Sequence, residues 1–325
     1  MRYLDSPGLD PYRHFATEYH FATAVPLEEP VVMLWRTEPT LMIGKYQNTA
    51  QEINTRYAAD HGLHIVRRPS GGGTIYTDPG AVQFGYIVPD HSEQISFDHF
   101  IRPVCAALAE LGVRADFKGR NDLTVDGRKI SGNAQYKIKG TTVHHGSILV
   151  DTDIEVMTAA TTVDYEKLAS KAISSVRDRV ANLSEFLPAG TTITDVMACL
   201  RRHLCGGGPV IAISPADEAA IADLAANRFA APAHTYGKNP ASQIVKSRRL
   251  AGGRLRLALS LDKGRISDCQ VGGDIFATEA ADRLPDVLRG LPLEEGPLRR
   301  ALAAARMDRA FYRISIDDLI DLLLS

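Results

Sequence analysis

Three consecutive glycines, at residues 71–73, directly follow Arg67, Arg68, Pro69 and Ser70 and form the segment best suited to hold an anion. Glycine loses the most backbone freedom on folding, so a run of glycines is most useful where the backbone lies close against another group. Arginine binds phosphates and carboxylates through paired N–H donors. Neighbouring residues of a strand face opposite ways, so one of the two arginines should enter the site, and we expect it to be Arg68. The segment predicts a site for a phosphate-bearing ligand.

The glycine loop (residues 70–73) does not match the phosphate-binding motifs of other protein classes. It lacks the GxxxxGK[ST] pattern of P-loop proteins, and its contiguous glycines lead into a predicted strand, unlike a dinucleotide-binding fingerprint. Three glycines alone fit a tight turn or a β-bulge about as well as a ligand site. The adjacent arginine pair favours the ligand site.

A second candidate segment combines Asp122 and Lys129, on two predicted strands, with Asn121 directly before the first of them. A single lysine on a strand is usually a surface residue, but the compact ammonium group of Lys129 can also contact a carboxylate and a phosphate at once. Asp122 can bind Mg²⁺, orient the lysine, or only cap the start of its strand. The functional interpretation makes Lys129 the cationic centre of the site.

Two adjacent histidines, His144 and His145, form a third candidate segment. Adjacent strand residues face opposite ways and cannot easily ligate one metal ion, and no third ligand is close in the sequence. We therefore expect a polar wall of a ligand pocket here, rather than a zinc site.

The composition is that of an ordinary globular protein and disfavours several classes of function. Of the 325 residues, 45% are apolar and 23% charged, and the formal net charge of -2 argues against general nucleic-acid binding. No apolar run approaches the roughly 20 residues that span a bilayer, and the first residues resemble neither a signal nor a transit peptide. The four cysteines are scattered without a CxxC motif, which disfavours a disulfide framework. We expect a cytoplasmic enzyme with no membrane or nucleic-acid partner.

Apolar periodicity and turn signals place the candidate residues on the strands of a large domain. Strands are predicted at residues 30–35, 40–44, 64–68, 82–88, 122–125, 129–131, 134–138 and 142–150, and helices at 12–25, 52–61, 97–111, 193–204 and 215–227. A linker is predicted at 231–240, followed by strands at 254–261 and 265–271 and helices at 278–288, 297–307 and 316–324. The predicted fold is α+β, with a mixed β-sheet flanked by helices in a large domain (1–236) and a small C-terminal α+β domain (237–325).

Five sequence blocks, in order along the chain, resemble signature blocks of the lipoate–protein ligases. They are RRPSGGGTIYTD at 67–78, GRNDL at 119–123, KISGNA at 129–134, HHGSIL at 144–149 and KAISSVRDRVANL at 171–183. The resemblance is close over about residues 25–190, and the chain after about 240 is similar to the small accessory domain of the two-domain ligases. It implies a fold of the biotin/lipoate ligase type.

The resemblance implies a two-step reaction that uses ATP, Mg²⁺ and lipoate or octanoate. Lipoyl-AMP and pyrophosphate would form first, and the acyl group would then pass to a lysine of a lipoyl domain. The implied acceptors are the E2 subunits of 2-oxoacid dehydrogenases and the glycine-cleavage H protein. A monomer is expected.

The resemblance also assigns roles to residues of this chain. Lys129 would be catalytic, bridging the lipoyl carbonyl and the α-phosphate, while the nucleotide would contact Arg68, Gly73, Thr74, Ile75, Tyr76 and Lys129. Lipoate would contact Gly72, Lys129, His144 and Gly146, with its apolar tail near residues 42–44. Ser70, Asn121 and Asp122 would support the site, and Asp122 would hold Mg²⁺. Thr77 stands where the family usually has histidine, so no role of that histidine is carried over.

Several alternatives stay open beside the ligase. A cysteine-dependent octanoyl- or lipoyl-transferase needs a thiolate in its acyl site, but no cysteine lies between Cys105 and Cys199, which we expect in the core. A biotin ligase would carry a GRGRxG-type loop, which this sequence lacks. A cysteine-independent transferase would keep the same pocket, as would a non-enzymatic protein that binds lipoyl-AMP, although the latter would not need Lys129.

Overall fold

The large domain is built on an eight-stranded mixed sheet and a separate three-stranded sheet. The computed structural model describes residues 1–90, 94–119, 121–161, 176, 178–236, 244–262 and 265–324. The strands of this domain are β1 Arg2–Leu4, β2 Val31–Trp35, β3 Thr40–Ile43, β4 His64–Arg67, β5 Ile75–Thr77, β6 Ala81–Pro89, β7 Asp116–Lys118, β8 Asp122–Val125, β9 Arg128–Ile138, β10 Thr141–Leu149 and β11 Val210–Ile211. Its helices are α1 Pro11–Thr23, α2 Thr49–Glu52, α3 Thr55–Asp60, α4 Asp98–Glu110, α5 Ile154–Thr161, α6 Ile193–Cys205, α7 Pro215–Leu224 and α8 Pro232–Tyr236.

Strand order places the candidate residues on neighbouring strands. The large sheet has the order β11-β1-β2-β6-β10-β9-β8-β7, and the smaller one has the order β4-β3-β5. β1 pairs in parallel with β2 and β11, whereas β6, β10, β9 and β8 follow one another antiparallel. The Lys129 and His145 strands are therefore adjacent, and the glycine loop joins β4 to β5 beside them.

Successive side chains of β2 point to opposite faces of the sheet, and both faces are covered by helices. Val32 and Leu34 share a core cluster with side chains of α4 and α6, such as Val104 and Leu200. Val31, Met33 and Trp35 share another cluster with Phe15 of α1. The sequence pattern of this strand is continuously apolar because both of its faces are buried.

The small domain packs three helices on one face of an antiparallel sheet. Its strands are β12 Ile244–Leu250, β13 Gly253–Asp262 and β14 Arg265–Ile275, paired in that order, and its α-helices are α9 Leu284–Leu288, α10 Glu295–Ala304 and α11 Ile316–Leu324. Leu255, Leu257 and Leu259 of β13 are fully buried with helix residues such as Leu298 and Leu319. Arg254 and Arg256 alternate with these leucines and lie on the other face.

The fold class predicted from the sequence is confirmed, with local corrections. The expected linker at 231–240 contains the helix α8, and the strands expected at 129–131 and 134–138 are one strand, β9. β12 was not predicted, because arginine and lysine fill much of it. The domain boundary at 236/237 stays a prediction, since residues 237–243 lie outside the described residues. In the described part of the chain, no helix combines the length and apolarity needed to cross a bilayer.

Candidate active site

A cavity of about 410 Å³ lies where the small domain meets the α1 side of the large sheet. Phe15, Trp35 and Met42 give it an apolar end, and β12 and β14 of the small domain close the opposite side. The residues predicted for the site that line this cavity are Arg68, Gly72, Gly73, Thr74, Ile75, Asn121, Asp122, Lys129 and Gly146. The structure therefore brings together most of the candidate residues from three separate segments.

The glycine loop lies against the backbone of β14 in the small domain. A methyl group on Gly71 would lie 1.8 Å from the carbonyl oxygen of Ile275, closer than atoms can approach. Gly72 has a φ of +89°, and its N–H donates to the same oxygen at 2.7 Å. Gly73 is less constrained, because an added methyl would come no nearer than 3.6 Å to Asp274. The first two glycines are therefore required by the contact between the domains.

Arg68 is buried and holds the glycine loop in shape. Its guanidinium donates to the Ser70 hydroxyl and to the carbonyl oxygens of Met42, Gly71 and Gly73, at 2.6 to 3.0 Å. Burial lowers the pKa of Arg68 to about 10, so it still carries its charge at neutral pH. The loop geometry thus depends on Arg68, and contact between Arg68 and a nucleotide stays a prediction.

Arg67 performs a similar task on the opposite side of β4. It donates to the carbonyl oxygens of Gly44, Lys45 and Gln47 and to that of Thr235 in α8. The two adjacent arginines therefore fix two different backbone segments, and neither is a free surface cation.

A buried series of polar groups connects α1 to the glycine loop. Nδ1 of His145 lies 3.0 Å from Oε2 of Glu18, and Nε2 of His145 lies 2.7 Å from the hydroxyl oxygen of Ser70, which accepts from Arg68. The hydroxyl of Tyr136 also donates to Glu18, whose exposed fraction is 0%. Glu18 was missed in the sequence, although its position three residues from both Phe15 and Phe21 put it on the buried face of a helix.

Replacing Glu18 with alanine is expected to destabilise the large domain by about 2–3 kcal/mol, because His145 and Tyr136 lose a buried hydrogen-bond partner. Glu18→Gln keeps an oxygen acceptor and should cost less than half as much. Urea denaturation followed by the fluorescence of Trp35, the one tryptophan of the chain, measures both variants. Equal stability of wild type and Glu18→Ala would show that the series contributes nothing to the fold.

Lys129 lies at the junction of two cavities. Its Nζ is 2.7 Å from Oδ1 of Asp122, and it lines both the cavity described above and a second one of about 520 Å³. The second cavity extends past Thr74, Ile75 and Tyr76 to Val176 and Arg179. The backbone of Lys129 is fixed by hydrogen bonds to Arg179 and Ala181, at 2.7 and 2.9 Å. The ammonium group can therefore contact ligands in both cavities at once.

Asn121 positions the strand that carries Lys129. Its side-chain amide donates to the carbonyl oxygen of Asn133 on β9 at 2.6 Å, and its own carbonyl oxygen accepts from the Asn133 backbone at 2.9 Å. The supporting role of Asn121 in the site stays a prediction. Its neighbour Arg120 and six of the thirteen residues of the fifth sequence block (171–175 and 177) lie outside the described residues.

His144, which we expected beside the substrate, instead lies on the other face of the sheet. Its ring stacks on Phe100 at 4.6 Å, and both of its nitrogens lack a hydrogen-bond partner among the described residues. Burial holds the pKa of His144 well below its ordinary value, so the ring is neutral. His145, one residue later, faces the cavity because adjacent strand residues alternate.

Thr77 does not point freely into either cavity. It is buried, and its hydroxyl oxygen accepts from the side-chain amide of Gln83 at 2.6 Å. Gln83 lines the main cavity. The departure from the family pattern at this position is therefore accommodated by a local hydrogen bond.

Sequence comparison identifies the family. Two family models match, described as the lipoyl protein ligase A/B catalytic domain over residues 10–205 and the bacterial lipoate protein ligase C-terminus over 239–323. The lipoate-protein ligase LplJ of Bacillus subtilis is 34% identical over 99% of this chain and 100% of its own length. The chain belongs to the lipoate–protein ligase family. Lipoate–protein ligase 1 of Staphylococcus aureus is also similar, at 31% identity over 99% of this chain and 100% of its own.

Solved lipoate–protein ligase structures share the fold. P. falciparum LipL1, solved in complex with lipoate, superposes with a TM-score of 0.81 at 22% identity and covers 99% of both chains. A lipoate-protein ligase A bound with ATP superposes with a TM-score of 0.61 at 22% identity, covering 73% of this chain and 98% of its own. The bipartite ligase of Thermoplasma acidophilum, described with its E2 lipoyl domain, gives 0.64 at 24% identity, over 75% and 98%. Family membership and the ligase-type fold, both predicted from the five blocks, are confirmed.

Proposed function

We propose that this protein is an ATP-dependent lipoate–protein ligase that forms lipoyl-AMP and transfers the acyl group to a lysine of a lipoyl domain. The main support for this proposal is the position of Lys129 at the junction of two cavities. An acyl-adenylate carries an acyl chain and an adenosine on either side of one phosphate. A cation between two adjoining cavities can contact that phosphate while one cavity holds the acyl chain and the other holds the adenosine. The glycine loop, which includes Ser70, lies beside this point.

The main cavity suits the acyl chain of the adenylate. Phe15, Trp35 and Met42 are each at most 2% exposed and give the cavity a largely apolar end, as a dithiolane or alkyl chain requires. His145 and Gly146 of β10 complete the wall. Lipoate and octanoate both fit this description, and we propose both as substrates.

The second cavity suits the nucleotide. β5 is the edge strand of the β4-β3-β5 sheet and therefore has backbone groups that no neighbouring strand pairs. Residues 74–76 line the second cavity, and an adenine ring offers donors and acceptors that can pair with such an edge. We therefore propose that residues 74–76 contact the base and that Gly73 and Lys129 contact the phosphates.

In the first step, a carboxylate oxygen of lipoate bonds to the α-phosphorus of ATP, the bond from that phosphorus to the β-phosphate oxygen breaks, and pyrophosphate leaves with the electron pair. Negative charge increases on the α-phosphate oxygens, and the Lys129 ammonium stabilises it. In the second step, the neutral amine of the acceptor lysine bonds to the acyl carbon, AMP leaves, and the amine loses a proton. No enzyme nucleophile is needed.

The predicted magnesium site at Asp122 offers a single carboxylate that is already paired with Lys129. Asp122 already contacts Lys129 at 2.7 Å, and one carboxylate would hold Mg²⁺ only together with further oxygen ligands such as those of the ATP phosphates. Among the described residues, the cluster with metal-binding potential is Glu110, Cys199 and His203, which does not line the cavity. We therefore propose that Asp122 orients Lys129 and that magnesium arrives with ATP, and no step is derived through it.

The acceptor and its compartment are also part of the proposal. The Thermoplasma acidophilum ligase is described with an E2 lipoyl domain, which supports lipoyl domains of E2 subunits, and by the same chemistry the H protein, as acceptors. We propose a monomer that acts in the cytoplasm. These assignments rest on the family.

A cysteine-dependent transferase is not supported, because none of the four cysteines lines either cavity in the described part of the chain. Cys199 is buried against Ala107 of α4, as expected for a core residue. A cysteine-independent transferase and a non-enzymatic binding protein are separated from the ligase by a requirement for ATP.

The test is ATP–pyrophosphate exchange by the purified protein with lipoate, octanoate or biotin as the acid. Exchange with lipoate and octanoate but not biotin is expected, followed by acylation of an apo lipoyl domain. If the protein moved octanoyl groups between carrier domains without any exchange activity, the ligase assignment would be wrong.

A further inference from the structure

We propose that Arg249 of the small domain binds the β- and γ-phosphates of ATP, so that the small domain supplies a catalytic residue to the first step alone. This inference rests on the proposed ligase function and extends it. It concerns the face of the small sheet that none of the described helices of that domain covers.

This open face concentrates positive charge on two adjacent strands. Arg249 of β12 lies directly opposite Arg254 of β13, and Arg256 is two residues further along β13. Like charges directly opposite each other destabilise a pair of strands. Asp274 of β14 lies opposite Arg254 on its other side, so Arg249 is the member of the pair whose cross-strand partner is another cation. Leu255 and Leu257 face the helices from the other side of β13, which fixes the arginines on the open face.

The open face approaches the active site at one end. Arg249 and Asp274 line the same cavity as Lys129, and the adjacent residue of β14, Ile275, accepts the N–H of Gly72. A small anion held by the glycine loop therefore lies within the space that Arg249 also borders. An acidic protein partner would instead bind outside the cavity.

Arg249 is the cation of this cavity that has no partner within the described residues. Arg68 is committed to three carbonyl oxygens and a hydroxyl, and Lys129 is paired with Asp122. Arg248, the neighbour of Arg249 on the opposite face, lies 3.7 Å from Asp321 of α11. An unpaired guanidinium beside a phosphate site favours phosphate as its ligand.

The positive charge of Arg249 can stabilise the group that leaves in the first step. When the α-phosphorus bonds to the lipoate oxygen and its bond to the β-phosphate oxygen breaks, the leaving pyrophosphate gains negative charge. Lys129 stabilises the α-phosphate, and Arg249 stabilises the leaving group. The second step has no pyrophosphate, so Arg249 has no part in it.

The experiment compares Arg249→Ala with Arg248→Ala in the full-length protein, using separate assays for the two steps. Arg249→Ala should lower lipoate-dependent ATP–pyrophosphate exchange on the order of 10- to 100-fold and raise the KM for ATP, as expected for loss of one charged donor. Transfer from synthetic lipoyl-AMP to an apo lipoyl domain should stay within about twofold of wild type. Arg248→Ala should leave both steps unchanged, and Arg249→Lys should recover part of the exchange rate.

Two results would overturn the proposal. One is exchange by Arg249→Ala at the wild-type rate. The other is an equal loss in both steps, which would assign Arg249 to domain packing or to the acceptor protein. Wild-type exchange, measured in parallel, separates this proposal from the ligase assignment, because its absence would reject the ligase itself.

Discussion

Replacing Lys129 with alanine is expected to lower lipoate-dependent ATP–pyrophosphate exchange by about a thousandfold, the upper range for removal of one preorganised charge from a transition state. Lys129 lies between the two cavities, where the α-phosphate and the lipoate carboxylate must meet. The backbone contacts of Lys129 with Arg179 and Ala181 do not use its side chain, so alanine should keep the strand in place. Exchange is measured with labelled pyrophosphate at saturating ATP and lipoate.

Arg128 offers a matched control. It precedes Lys129 on β9, faces the other way, and pairs with Glu185 at 2.8 Å. Arg128→Ala should retain exchange within about twofold, since an exposed ion pair contributes little. Retention of full exchange by Lys129→Ala, in a protein that melts at the wild-type temperature, would remove Lys129 from the mechanism.

Replacing Gly71 with alanine is expected to separate the glycine loop from the small domain and to lower exchange by about a hundredfold, as misplacement by an ångström typically does. The added methyl would lie 1.8 Å from the carbonyl oxygen of Ile275 and 2.9 Å from its carbonyl carbon. These are backbone atoms of a paired strand and cannot move aside cheaply. The hydrogen bond from Gly72 to Ile275 should break, and Arg249 and Phe276 should leave the cavity.

Small-angle X-ray scattering and the exchange assay together measure this effect. Gly73→Ala is the control for domain docking, because the nearest atom to its methyl is 3.6 Å away. A larger radius of gyration is expected for Gly71→Ala and not for Gly73→Ala. If Gly71→Ala scatters like the wild type and exchanges normally, the contact in the structure has no bearing on activity.

The residues that could be predicted from the sequence are those with local signals. The glycine loop, the lysine of β9 and the alternation of β10 each follow from residue type and spacing within a few positions. The resemblance of the five ordered blocks to the lipoate–protein ligases also indicated the type of reaction. Even so, we expected His144 in the cavity, whereas His145 lines it. Which of two adjacent strand residues faces a site depends on the pairing register, and the neighbouring strands set that register.

The remaining features come from contacts between distant segments. Glu18 joins the site only because α1 packs over β10, which is more than 100 residues away in the chain. Arg249 and Phe276 enter the cavity because β14 docks on the glycine loop. The second function of the glycines, as a surface for another domain, has no sequence signal distinct from that of an anion-binding loop.

Phe276 has a consequence for the energetics of the whole chain. It belongs to the small domain, yet its fully buried ring lies 5.3 Å from the ring of Phe97 in the core of the large domain. Moving the domains apart exposes this ring to water at a cost of about 2 kcal/mol. The two domains are therefore thermodynamically coupled: stabilising one raises the melting temperature of the other, and a ligand that separates them must offset that cost with its own contacts.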